Sequence, residues 1–583
     1  MKGVGEIKIM KSLKERIRVA AGEGMADLLI KNGRVVNVFS GQIEKKDVAI
    51  FGGVIVGFGD YRARKTVDVN GDFLCPGLID SHVHIESSMV TVPQFARAVL
   101  PHGTTTVVID PHEIANVMGL KGIRFMAESA KGVPLNVFVM APSCVPATHM
   151  ETSGATLGAK EIQSLLKEPW ILGLAEMMNF PGVIYRDPEV LRKIELANGR
   201  RVDGHAPSLS GKGLYAYLTA RIRSDHECTT LKEAKEKLEN GMWIMIREGT
   251  TARNLKDLLP LVTPKNARRF LFVTDDRHPK ELLGEGHIDS IVREAIRWGV
   301  DPVLAIQMAT LNAAEYFRLD DLGAIAPGYK ADILAFEDLG TFKIKRVFKD
   351  GALAAEDGEM TARAPRTLSP LKNRFKGSVR IKPMTEKAFL LRSGQPLAKV
   401  IQLVPNQIVT RKVMKKVLLK DGIAYPDIEE DILKIVVVER HRGTGNVGIG
   451  FVQGFGLKNG AIGSSVAHDS HNFVAVGTND QDIFTAVMAM KKMGGGLVVV
   501  VEGKALASLS LPIAGLMTDA PVSQVHLRLE GLLKASESLG CRLPDPFMTL
   551  SFLSLPVIPE LKLTDKGLVD VGQFKIVPVF GEK

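Results

Sequence analysis

The chain has 583 residues, 45% apolar and 24% charged, with a formal net charge of +10 at pH 7. That length exceeds one ordinary core and implies two to four domains, while the composition excludes a disordered or fibrous chain. The basic residues are interleaved with acids along the whole chain, so the charge reads as a solvated exterior and not as a nucleic-acid surface.

The first residues are basic, with Lys2, Lys8, Lys11, Lys14, Arg16 and Arg18, but they lack the uninterrupted apolar run of a signal peptide, so secretion is not expected. From Ala26 to Phe73 the pattern predicts short alternating strands broken by turns, with Leu28-Leu29-Ile30 ending before Asn32-Gly33 and Val48-Ala49-Ile50 ending before Gly52-Gly53. Apolar runs then alternate with helical stretches. Thr105 to Ile109, Asn136 to Met140, Ile171 to Ala175, Trp243 to Ile246 and Phe270 to Val273 read as strands buried on both faces, which predicts a parallel barrel.

After Asn312-Ala313 short strands return, at Ala331 to Phe336 and at Ile344 to Phe348 before Asp350-Gly351, and they are expected to pair with the N-terminal ones. A Pro- and Arg-rich stretch from Ala362 to Lys382 reads as a linker. Beyond it, Ile435 to Val438 and Leu497 to Val501 are strand-like, and the glycine clusters at Gly443 to Gly456 and Gly494 to Gly496 suit tight turns, since no Gly-Lys-Ser/Thr phosphate loop follows them. The expected architecture is α/β. A (β/α)₈ barrel over 76–319 is inserted in a discontinuous small β domain, 1–75 with 320–382, and a C-terminal α/β domain covers 383–583.

Cys75, Cys144, Cys228 and Cys541 are scattered, with neither a disulfide framework nor a Cys-x-x-Cys clip, which suits a reducing, cytoplasmic compartment. The richest apolar stretch, Gly494 to Val501, is too short to span a bilayer, so no membrane partner is expected.

His82-Val83-His84 follows the run Pro76 to Asp80 and sits at the carboxyl end of a predicted strand, where alternation aims residues i and i+2 at one side and lets both imidazoles meet one metal. Glu176 closes the apolar run Ile171 to Ala175 and Asp275 closes Phe272-Val273-Thr274, while His205 follows Val202-Asp203-Gly204 and His226 follows Arg223-Ser224-Asp225; the carboxyl ends of successive strands are the position at which barrel active sites are built. Singly, each has a plainer reading, as a surface histidine or a helix cap. Together the six residues suit two divalent ions, with Glu176 able to bridge ions about 3.5–4 Å apart and a hydroxide as nucleophile. Asp275 is then the candidate proton shuttle.

The segment Pro76-Gly77-Leu78-Ile79-Asp80-Ser81-His82-Val83-His84-Ile85-Glu86-Ser87-Ser88 resembles the first-strand signature of the amidohydrolase superfamily, and within it the adenine deaminase family. The resemblance extends to Asp110 to Asn116, Ala175 to Asn179, Gly204 to Pro207, Thr274 to His278 and Ala467 to Asn472. It implies hydrolysis of adenine to hypoxanthine and ammonia in purine salvage. It also implies two divalent metal ions, manganese or iron with zinc possible, and a C-terminal domain of adenine-deaminase type. By the same resemblance Glu113 and Asp110 contact or protonate the purine, with His112 beside them; the alternative is that the two acids cap the next helix.

Many two-metal members of the superfamily bridge their ions with a carboxylated lysine after the fourth strand, whereas that strand here ends in Glu176, which argues against a hydantoinase or dihydroorotase. His84-Ile85-Glu86 matches half of the one-zinc nucleobase deaminase signature, but no Cys-x-x-Cys completes it. His468 and His471 read as an ordinary loop pair or as residues that shape the site, and neither is assigned to it. The expected partner is a small purine base, with no nucleic acid, in a homo-oligomer. A related amidohydrolase for another aminopurine or cyclic amide, or a non-catalytic barrel scaffold, are the competing readings.

Overall fold

The computed structural model describes residues 13–362, 378–405 and 407–581. Most of the predicted linker between Ala362 and Lys382, and the basic residues Lys2, Lys8 and Lys11, lie outside them.

The first strand, Ala26–Val36, runs straight through Asn32-Gly33, where sequence reading expects a turn. A register shift between Ile30 and Gly33 absorbs the extra residue as a bulge, with Asn32 at φ 59°, and pairing to Ile43–Phe51 resumes beyond it. Gly33 faces strand Phe73–Pro76, and a Cβ there would lie 2.3 Å from Leu74 Cδ1, so close strand approach rather than chain reversal explains the glycine. Strand Phe73–Pro76 pairs antiparallel with Ile333–Phe336, joining two segments of chain far apart in sequence into one nine-stranded sheet among the described residues. Asp350 and Gly351, both at positive φ, turn Ile344–Lys349 back on Ala352–Glu356 as expected of an Asp-Gly hairpin.

Between those segments lie eight parallel strands among the described residues. They are β1 (Leu78–Val83), β2 (Thr104–Ile109), β3 (Asn136–Ala141), β4 (Ile171–Met177), β5 (Arg201–Gly204), β6 (Ser224–Asp225), β7 (Trp243–Arg247) and β8 (Phe270–Val273). They hydrogen-bond in the orders β5-β4-β3-β2-β1 and β6-β7-β8. The ring closes where His84 N donates to Asp275 O and Asp275 N to His82 O, each at 3.0 Å, and where Arg223 N donates to Val202 O at 3.4 Å. This is a barrel of the (β/α)₈ type. Its interior is apolar, with Ile79, Val108, Met140, Ala175, Met245 and Leu271 packed on Tyr316 and Phe317 of helix Leu311–Phe317, which plugs the end opposite the site. Asp187-Pro188, Asp301-Pro302 and Asp545-Pro546 each open a helix: the aspartate accepts from the first free N–H groups, and proline occupies the position that needs no donor.

Among the described residues the C-terminal part builds an eight-stranded, mostly antiparallel sheet that includes Ile432–Val438 and Gly496–Val501. Helix Asp480–Met493 packs on it through Ile483, Ala486, Val487 and Met490. Residues 465–472 connect its neighbouring strands Ala461–Ser464 and Phe473–Gly477 and reach the mouth of the barrel.

Candidate metal and active site

All six predicted ligands lie at the carboxyl ends of barrel strands, and their side chains meet around Glu176. Its Oε1 lies 3.3 Å from His84 Nε2 and 3.6 Å from His82 Nε2, and its Oε2 lies 2.7 Å from His205 Nδ1 and 3.3 Å from His226 Nε2. Asp275 Oδ1 completes one side, 3.0 Å from His84 Nε2 and 3.4 Å from His82 Nε2. Two donors bonded to one cation at about 2.1 Å stand about 3.0–3.4 Å apart, which is the separation of His84 and His226 from Glu176 and of both His82 and His84 from Asp275, while His205 Nδ1 is at hydrogen-bond distance from Glu176.

The lone pairs are prepared for that role. His84 Nδ1 donates to the Asp110 carbonyl at 2.9 Å, which leaves Nε2 bare and turned to the cluster. His82 Nε2 and His205 Nε2 are buried with no hydrogen-bond partner among the described residues. Imidazole nitrogens and carboxylates of this kind are donors that borderline divalent ions accept. Burial works against the charge of Glu176, yet the imidazoles of His226 and His205 hold it well below the usual carboxylate range. Asp275 is likewise held low against burial, chiefly by the Arg247 guanidinium. Asp275 sits at φ 58°, a left-handed conformation unusual for a non-glycine residue, and its paired backbone bonds to β1 hold it there.

Several residues at the mouth escaped the sequence reading. Arg247, at the end of β7, donates from Nη1 to Asp275 Oδ2 at 2.8 Å and from Nη2 to Glu227 Oε2 at 3.1 Å, with Nη1 also on Glu227 Oε1. The predicted seventh strand stopped at Ile246, one residue short, so the rule that strand ends carry the chemistry pointed to Arg247 without naming it. Glu227 stands 3.4 Å from His226 Nε2, and Asp276 accepts from Ser87 Oγ.

Asp110 and Glu113 do not cap the helix His112–Met118: the residue at the cap position is Pro111, and the free Ile114 N–H of the first turn donates to Glu86 Oε1 at 3.2 Å. Asp110 Oδ2 instead pairs with His112 Nδ1 at 3.0 Å, and His112 Nδ1 is 3.5 Å from Glu176 Oε1. Glu113 turns to the C-terminal loop, where His468 Nδ1 donates to its Oε1 at 2.6 Å and His471 Nε2 is in direct contact with its Oε2. The two histidines left unassigned by sequence are thus part of the site's wall. Phe552, Leu555 and Ile558 line the mouth from the same side, and the space left there is about 20 Å³. That room holds about one water.

Comparison with known proteins adds a separate line of support. Residues 73–354 match the model of the amidohydrolase family, and residues 407–575 match that of the adenine deaminase C-terminal domain. The chain is 54% identical to an adenine deaminase of Desulfatibacillum aliphaticivorans, over 97% of this chain and 99% of that one. It is 52% identical to one of Dehalococcoides mccartyi and 49% identical to one of Geobacillus kaustophilus, with the same coverage of both chains in each case.

Proposed function

The chain belongs to the adenine deaminase family, and from that premise we propose that it hydrolyses adenine to hypoxanthine and ammonia, a step of purine salvage. The observation that carries the reading is the meeting of His82, His84, His205 and His226 on the two oxygens of one buried carboxylate, Glu176, with Asp275 beside them.

These six residues would hold two divalent cations, manganese or iron with zinc also admissible, and Glu176 would bridge them. When bound, such ions lower the pKa of water enough to supply the nucleophile at neutral pH. Asp275 handles the protons. Its Oδ2 is tethered to Arg247 while Oδ1 faces the cluster, so Oδ1 takes a proton from the attacking water and passes it to the departing amino group. The C6–O bond forms and the C6–N6 bond breaks. One water proton ends on N1 and the other on N6, giving hypoxanthine and ammonia. His112 lines the side on which the base would lie, with Asp110 paired to its Nδ1, and the two are the substrate-binding residues of this reading.

The organisation that goes with this reading is a barrel over 76–319 inserted in a β domain of 1–75 with 320–382, followed by the domain 383–583. The strand pairing of Phe73–Pro76 with Ile333–Phe336 supports it. A cytoplasmic homo-oligomer fits the four buried, unpaired cysteines and the absence, among the described residues, of any helix long and apolar enough to cross a membrane. The test is ammonia release from adenine, adenosine, guanine, cytosine and a hydantoin after reconstitution with manganese. Adenine is expected to be turned over best, and a preference for any other member of the panel refutes the assignment.

A further inference from the structure

Glu113 is buried, and both its oxygens are taken by histidines from the loop 465–472. The protonation of one of these is legible from its other nitrogen. Ala467 N donates to His471 Nδ1 at 3.1 Å, so that nitrogen carries no proton, and Nε2 stands in direct contact with Glu113 Oε2. Both ring nitrogens of His471 therefore face atoms of the protein. His468 differs: Nδ1 donates to Glu113, while its Nε2 is buried and has no partner among the described residues.

The imidazole of His468 is fixed on every other side. One face stacks on Phe552, with centroids 4.5 Å apart and planes at 18°, its backbone N donates to Ser551 O at 3.0 Å, and its carbonyl accepts from Ser554 Oγ at 3.3 Å. The loop itself is clamped: Arg440 donates to the carbonyls of His471 and Ala514, and His441 Nε2 donates to the Ser470 carbonyl at 2.6 Å. A ring held by its Nδ1, one face and its backbone, in the wall of the space at the barrel mouth, leaves Nε2 as its one free polar atom there. Buried polar atoms of a settled core find partners, and this one is left for a ligand.

We infer that His468 Nε2 is a hydrogen-bonding contact to the purine, supplied by the C-terminal part of the chain and aimed by Glu113. This rests on the proposed function and changes the part that sequence assigns to Glu113: with both oxygens engaged, the glutamate is a positioning residue, and the group that meets the base is the histidine. Burial works against a charge on His468, but the adjoining Glu113 carboxylate outweighs it and raises the group to about 9, so Nε2 carries a proton at neutral pH and faces a purine ring nitrogen as donor.

The experiment pairs a residue with a substrate atom. Adenine and its 1-deaza, 3-deaza and 7-deaza analogues, each with one ring nitrogen replaced by carbon, are compared as competing ligands of the manganese-reconstituted full chain, in wild type, His468→Ala and His468→Gln. Wild type is expected to bind one analogue roughly tenfold to a hundredfold more weakly than adenine, the range for a hydrogen bond to a charged donor. His468→Ala should lose that discrimination and leave the other two analogues unaffected relative to adenine, and His468→Gln, which keeps a donor, should recover part of it. Equal binding of all three analogues by wild type overturns the inference without recourse to a variant, and so does uniform weakening of every ligand in His468→Ala. Wild type that releases no ammonia from adenine removes the underlying function as well, which distinguishes the two failures.

Discussion

Replacing Arg247 with methionine separates the two things a residue can do beside a metal cluster. The side chain is buried and makes charge-assisted bonds to two carboxylates, Asp275 at 2.8 Å and Glu227 at 3.1 Å with a second, shorter bond to the latter. Its loss leaves the pocket one unit more negative, which favours cation retention, so the metal content should not fall. Breaking a buried ion pair costs about 3–5 kcal/mol of stability, and bound cations offset part of that by taking over the carboxylate charge. Turnover responds differently, because Asp275 loses the tether that keeps Oδ1 toward the cluster. Outer-shell partners of this kind are worth about 10–100-fold in activity, or about 1.4–2.7 kcal/mol of barrier. The expected result is therefore a drop in kcat of that size with two ions still bound, read by ammonia release alongside elemental analysis. Arg247→Lys keeps the charge without the planar fork and should fall between wild type and Arg247→Met. If metal is lost in step with activity, or if kcat stays within about threefold of wild type, the orienting role of Arg247 is refuted.

Glu176→Gln should reduce bound metal to about one ion per chain or fewer under metal-replete conditions and abolish turnover; two ions retained would show that Glu176 does not bridge. The ion pair His278–Asp545, 2.6 Å long, ties the barrel to the C-terminal helix Pro546–Ser551. Although burial opposes both charges, Asp545 raises His278 above 6.5 and His278 lowers Asp545 below 3.8. The histidine's contribution is complete below pH 6.5 and is lost as pH rises through its raised folded value, while the aspartate's is complete above 3.8 and is lost as pH falls through its lowered one. Asp545→Asn keeps the helix cap but not the charge, so its deficit in melting temperature should be widest between pH 3.8 and 6.5 and should shrink in alkali; a deficit independent of pH would contradict this. In Gly204→Ala the new Cβ would lie 2.2 Å from Ser224 O across β5 and β6. The strands must part, and a loss of about 1–3 kcal/mol is expected in denaturant titration, with no change expected only if the barrel seam is not packed as described.

Six residues of the site were readable in one dimension because each obeys a local rule. His82 and His84 share a side because a strand repeats every two residues, Glu176 and Asp275 stand where apolar runs end, and His205 and His226 follow the short strands Arg201–Gly204 and Ser224–Asp225. The Asp-Pro helix starts and the Asp350-Gly351 hairpin are local in the same sense, since their donors and acceptors lie within three residues. Asn32-Gly33 looked like such a signal and was not, because whether a glycine bends a chain or lets a neighbour approach depends on what packs against it, here Leu74 from a later strand.

What tertiary structure alone decided is who meets whom across the chain. Nothing near Glu113 in sequence announces that His468, 355 residues away, will occupy one of its oxygens, or that Arg247 will clamp Asp275 and Glu227 together. Local periodicity places a side chain on a face of its own element. Contacts between elements are set by how the loop 465–472 docks on the barrel mouth, a long-range packing outcome that leaves no periodic trace in either segment.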